Sequence, residues 1–182
     1  MSRSYGMAPL IRGTLVLLYL ALVLPLPALA PGGLRPWLLA ALPLGLAVVL
    51  AISSERVELD PQGLRLRHPG WCRWWLRHGW ELSWDQVQGL TPVATSQGGR
   101  VFYVRTTGGT SVLLPQRLAR FDDFLARFGQ QSGLDTTAIG RISPVWTYQL
   151  LAVLSAVMVA AELAVGWALA TGRWAFPPGS GL

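Results

Sequence analysis

Lysine is absent from this 182-residue chain, so all 15 of its cationic side chains are arginines. They are scattered through the polar segments, without the basic run or recognition motif that nucleic-acid binding would show, and an anionic membrane surface suits them better. Nucleic acid is therefore not an expected partner. Cysteine occurs once, as Cys72, which excludes an internal disulfide and leaves a CxxC or Cys/His zinc site without its other ligands. Histidine occurs twice, as His68 and His78, and these two with Cys72 form no complete ligand set, because no carboxylate or thiol cluster joins them. No metal and no cofactor are expected. Catalytic residues are not expected either. No Ser-His-Asp or Cys-His arrangement can be assigned, and Asp122-Asp123, as helix neighbours about 100° apart, do not share an acid/base site. Gly98-Gly99 and Gly108-Gly109 lack the Lys-Ser/Thr and following helix of a phosphate cradle. The chain reads as a non-enzyme.

What is present is apolar: 52% of residues are hydrophobic and 13% charged. Apolar stretches run from Thr14 to Ala30, from Pro36 to Ile52 and from Val145 to Ala170. A hydrocarbon core about 30 Å thick needs about 20 residues of helix, so the third stretch spans comfortably and the first two only just. Ala28-Leu29-Ala30 has the small residues of a signal-peptidase site, but Pro31 follows directly and another apolar stretch comes within six residues. A helical hairpin turning at Pro31-Gly32-Gly33 is the better reading. Pro25, Pro27 and Pro43 are expected to kink it, and a partly re-entrant hairpin is the alternative. Arg3, Arg12, Arg56 and Arg141 flank the helices on one side and only Arg35 and Arg173 on the other, which puts the amino terminus and the polar segment in the cytoplasm. Residues 1–52 form the transmembrane hairpin, 53–138 a soluble domain, and 139–182 a third transmembrane helix and tail.

Within the soluble segment, Val57-Glu58-Leu59-Asp60 and Leu64-Arg65-Leu66-Arg67 alternate apolar and polar around Pro61-Gln62-Gly63, which predicts a hairpin. A second hairpin pairs Val101–Arg105 with Thr110–Leu114 around Gly108-Gly109. Gly79–Trp84 reads as a strand between them. Leu118, Phe121, Leu125 and Phe128 fall at helical spacing, with Gly129 as C-cap.

This order, a hairpin, a Trp-bearing strand, the Ser83-Trp84-Asp85-Gln86-Val87 step, a hairpin ending in Leu113-Leu114-Pro115, then an amphipathic helix, resembles the bacterial pleckstrin-homology-like (PH-like) domains of small membrane proteins over about Val57 to Gly133. The resemblance implies an α+β membrane protein: three transmembrane helices with an inserted antiparallel PH-like β-barrel capped by one amphipathic helix. It also implies a binding or scaffolding module. The front of the chain, with Arg67-His68-Pro69-Gly70-Trp71, is similar to the photosystem I assembly factor family, and Gly63–Arg67 and Gly133–Thr137 look like uncharacterised cyanobacterial membrane proteins. The helix after Val145 departs from the assembly-factor pattern. Photosystem subunits of a thylakoid or plasma membrane are the partners this resemblance implies.

His68 to Trp84 holds five tryptophans among four basic or imidazole side chains. Trp80 and Trp84 are expected to fill the core, whereas Trp71, Arg73, Trp74, Trp75 and Arg77 are expected to meet a partner or membrane headgroups. A pair of loop histidines in contact with water is the plain reading of His68 and His78. Glu162 is the one ionisable residue inside an apolar span, and either a partner helix or the far headgroup region would satisfy it. Gly166, with the nearby alanines, offers a small-residue face for such a helix.

Overall fold

The computed structural model describes residues 2–173 apart from 73, 75, 77, 78 and 97. The chain divides into two compact units, one of Met1–Pro9 with Ala51–Pro144 and the other of Leu10–Leu50 with Val145–Leu182.

The first unit is α+β. Strands β1 (Arg3–Gly6), β2 (Arg56–Leu59), β3 (Gly63–Arg67) and β4 (Glu81–Ser83) form one antiparallel sheet in that order. β5 (Val87–Ala94), β6 (Arg100–Thr106) and β7 (Ser111–Leu113) form a second. Both expected hairpins are present. β2 and β3 pair Leu59 with Leu64 and Val57 with Leu66, and the Asp60 carboxylate closes the turn by accepting the Gln62 and Gly63 N–H groups at 2.9 and 2.8 Å. At the β6–β7 turn, Gly109 has φ 74° and Thr106 Oγ1 meets the Thr110 carbonyl at 2.9 Å.

The expected antiparallel β-barrel is corrected: the described strands form two separate antiparallel sheets, not a closed barrel. β4 is only three residues long and gives way to a 3-10 turn at Trp84–Gln86. The Trp84 indole N–H donates to the Asp60 carbonyl at 2.9 Å, which fastens this residue to the first sheet while the chain departs into the second. At the other edge, Ala119 N–H reaches the Gly6 carbonyl at 2.8 Å and Ala8 N–H the Arg117 carbonyl at 2.9 Å, so the segment after β7 covers β1. A covered edge does not recruit stray strands.

Two strands were not anticipated. β1 lies ahead of the membrane hairpin, yet its register is continuous with β2, Tyr5 opposite Val57. β5 carries Pro92, tolerated because β5 is an edge strand and no ladder bond is forfeited there.

Helix α4 (Phe121–Ser132; the helices before it are given below) covers the core with Phe121, Phe124, Leu125 and Phe128. Leu118 is buried as expected but precedes the helix. The C-cap is Gly133, at φ 70° with its N–H on the Gly129 carbonyl, rather than Gly129: the helix runs one polar turn, Gly129 to Ser132, past its last apolar residue Phe128. Phe124 stacks on Phe121 and Phe128, meets Tyr5 edge-on at 5.5 Å between centroids, and is fully buried. Each such ring contributes roughly 1.5–3 kcal/mol through burial alone.

The second unit is helical: α1 (Pro9–Val23), the short α2 (Leu26–Leu29), α3 (Arg35–Ile52) and α5 (Val145–Ala170). Three spans, Pro9–Leu29, Arg35–Ile52 and Val145–Ala170, are long and apolar enough to cross a membrane, which makes this a membrane-associated chain. Pro25 interrupts the first span between α1 and α2, as its missing N–H requires, and the turn falls at residues 30–34. Pro43 sits within α3. Nearby, the Tyr19 hydroxyl donates to the Leu42 carbonyl at 2.6 Å, and a Cβ built at Gly45 would run into the Tyr19 ring, so glycine lets α1 and α3 approach at this point. Thr14 Oγ1 reaches the Tyr148 carbonyl at 3.2 Å, linking α1 to α5.

Candidate functional site

β3 and β4 diverge into a long loop. Their last common bond runs from the Leu66 N–H to the Trp80 carbonyl at 2.8 Å, and a Cβ at Gly79 would collide with the Leu66 carbonyl. Only glycine permits that closure. Beyond it the chain turns tightly: Cys72 N–H donates to the Pro69 carbonyl at 3.2 Å and Leu76 N–H to the Cys72 carbonyl at 3.1 Å. Cys72 is fully buried, with its thiol 3.4 Å from the Pro69 carbonyl and 3.7 Å from Ser54 Oγ. A small apolar thiol here anchors the turn.

Around that anchor the tryptophans separate as composition alone could only suggest. Trp74 is 84% exposed and Trp71 51%. Trp80 and Trp84 instead pack, partly buried, on the core, and Trp84 meets Phe128 edge-on at 5.7 Å. Arg73, Trp75, Arg77 and His78 lie outside the described residues. Two large exposed rings on one turn form an apolar patch of the kind that marks interaction sites.

The charges beneath the loop are largely spent within the fold. Arg65 binds Glu81 at 2.7 Å and Asp60 at 3.3 Å, and Arg67 lies 3.6 Å from Glu58. A cleft of about 380 Å³ runs alongside, lined by Arg65, Arg67, His68 and Trp80. His68 Nδ1 is buried there without a hydrogen-bond partner. Among the described residues no three His, Cys, Asp or Glu side chains gather as a metal-holding group.

Glu55, just after α3, is a functional candidate that periodicity did not single out. Its burial pushes the carboxyl pKa up, against smaller downward pulls from His68 and Arg117. A carboxyl with a raised folded pKa binds its proton more tightly folded than unfolded, so the penalty is absent below the ordinary carboxylate range and grows as pH rises through the unfolded and then the folded pKa. Glu55→Gln is therefore expected to raise stability at neutral pH and to leave it unchanged below about pH 4. Pulse proteolysis at both pH values checks this, and a variant less stable than wild type at neutral pH would contradict it.

Asp122 and Asp123 have separate fates. The Asp122 side chain is 91% exposed, as a solvated charge should be. Asp123 accepts the Tyr5 hydroxyl at 2.6 Å, and that bond, with help from Arg127, draws its pKa down. Glu162 and Gly166 lie on α5, in the wall of a cavity in the helical unit.

No family model matches the chain, and no solved structure matches it. It is 36% identical over 180 residues to the Synechocystis sp. protein called "Uncharacterized protein slr0269", across 96% of this chain and 88% of that protein. The chain therefore belongs to the same family as that cyanobacterial protein, with which it shares nearly its whole length.

Proposed function

We propose that this protein is a non-enzymatic membrane scaffold or assembly factor whose α+β unit is a PH-like domain, faces the cytoplasm, and docks membrane-protein partners through the loop at residues 68–79. The observation that carries the reading is the exposed pair Trp71 and Trp74 on a turn pinned by buried Cys72. Rigid aromatic side chains held clear of a core are what protein interfaces use as anchors. Four plus three antiparallel strands followed by one amphipathic helix support the PH-like reading. Kinship with a cyanobacterial protein, together with the resemblance of Arg67–Trp71 to the photosystem I assembly factor family, makes a photosynthetic membrane complex the first partner to test.

Headgroup binding by the same loop is the second reading, favoured by the cleft beside Arg65, Arg67 and His68. Against it, Arg65 and Arg67 already face Asp60, Glu81 and Glu58, which leaves less charge for phosphates. The test is co-purification of the full-length chain from its own membranes in mild detergent. Trp74→Ala is expected to weaken partner retention about 30-fold, equivalent to about 2 kcal/mol, with wild-type retention surviving moderate salt. Unchanged partners, with membrane binding that vanishes in salt, would favour the headgroup reading.

A further inference from the structure

The helical unit contains a cavity of about 1000 Å³. Leu24, Pro25 and Leu29 wall it from the α1–α2 side and Gly166 and Trp167 from α5, while Arg35, at the start of α3, and Glu162 are its two charged residues. Glu162 Oε2 is shielded from solvent and has no hydrogen-bond partner. None of the ion pairs among the described residues includes Arg35 or Glu162, so one cavity holds both charges and leaves them apart. Arg35 follows the hairpin turn, and Glu162 lies 17 residues, about 26 Å of helix, beyond Val145. Both therefore belong to the end of the spans remote from the cytoplasmic side assigned above, where headgroups meet acyl chains.

An isolated carboxylate at that depth is costly unless a donor reaches it, and an arginine there seeks an anion. Apolar walls with a few placed polar groups are the usual build of a small-molecule site, and this volume lies at the upper end of that class. We propose that the cavity seats one membrane phospholipid whose headgroup carries both an anionic phosphate and a hydrogen-bond donor. The phosphate meets Arg35, a headgroup hydroxyl donates to Glu162, and an acyl chain lies along Leu24, Leu29 and Trp167. A choline headgroup brings the phosphate and a bulky cation but no hydrogen-bond donor, and leaves Glu162 Oε2 without one. This inference concerns a different unit from the docking loop and stands or falls separately.

The experiment is native mass spectrometry of the delipidated full-length protein titrated with phosphatidylglycerol or phosphatidylcholine. One phosphatidylglycerol per chain is expected to survive detergent release and phosphatidylcholine is not. Gly166→Leu, at a position where an added Cβ meets nothing within 4 Å, fills the cavity without disturbing the helix and is expected to abolish retention. Arg35→Gln and Glu162→Gln, which keep shape, are each expected to weaken retention about tenfold. Equal retention of both lipids overturns the proposal, as does phosphatidylglycerol binding indifferent to Gly166→Leu and to both glutamine variants. Loss of a co-purified protein from the Gly166→Leu variant with lipid retention unaltered would give the cavity to a partner helix instead.

Discussion

Tyr5→Ala is expected to destabilise the α+β unit by about 3–5 kcal/mol, the range for removing a buried aromatic side chain. Tyr5 is 1% exposed, sits edge-on to Phe124, and is the buried centre of a four-residue strand that precedes two membrane helices. Tyr5→Phe keeps the ring and loses only the bond to Asp123, so its loss should be much the smaller of the two. Deleting residues 2–7 removes β1 altogether and exposes the edge of β2, and should cost at least as much as Tyr5→Ala. Pulse proteolysis of the full chain in detergent reads all three. Near-wild-type stability of the deletion would mean that β1 is dispensable. A practical corollary is that a fragment beginning at Val57 lacks the strand that completes its first sheet.

Gly79→Ala should cost about 3 kcal/mol, because its Cβ meets the backbone carbonyl of Leu66, which no rotamer change can clear. The damage is local and directed. Opening the bond between Leu66 and Trp80 frees both the base of the loop and a tryptophan that packs on the core. Partner retention should therefore fall together with stability, whereas Trp74→Ala, an exposed change, should lower retention alone. Stability and retention measured on both variants separate the two cases, and retention intact in Gly79→Ala would show that docking does not depend on the shape of this loop.

The hairpins around Gly63 and Gly109 were legible because alternation and turn chemistry agree there, and α4 because four apolar side chains repeat at helical spacing. β1 was not, since four residues with one aromatic carry no period, and its pairing depends on a strand fifty residues away in sequence. β5 was hidden by Gly89 and Pro92, which read as breakers until its place at a sheet edge is known. That the strands divide into two sheets was likewise beyond reach, because the chain leaves the first where the Trp84 indole N–H finds the Asp60 carbonyl. The Trp-rich loop was visible as composition; which rings face outward depended on Cys72 being buried beneath them. Glu162 stood out as a charge in an apolar span, but the cavity it shares with Arg35 needs the packing of α2 with the residues just before it, the start of α3, and α5 to exist.

The most direct measurement replaces Trp74 with a photo-crosslinking amino acid in the full-length chain and illuminates native membranes. Docking predicts a discrete protein adduct at position 74 that persists in moderate salt and is lost when Gly79 is also changed to alanine. Adducts to lipid alone would contradict it.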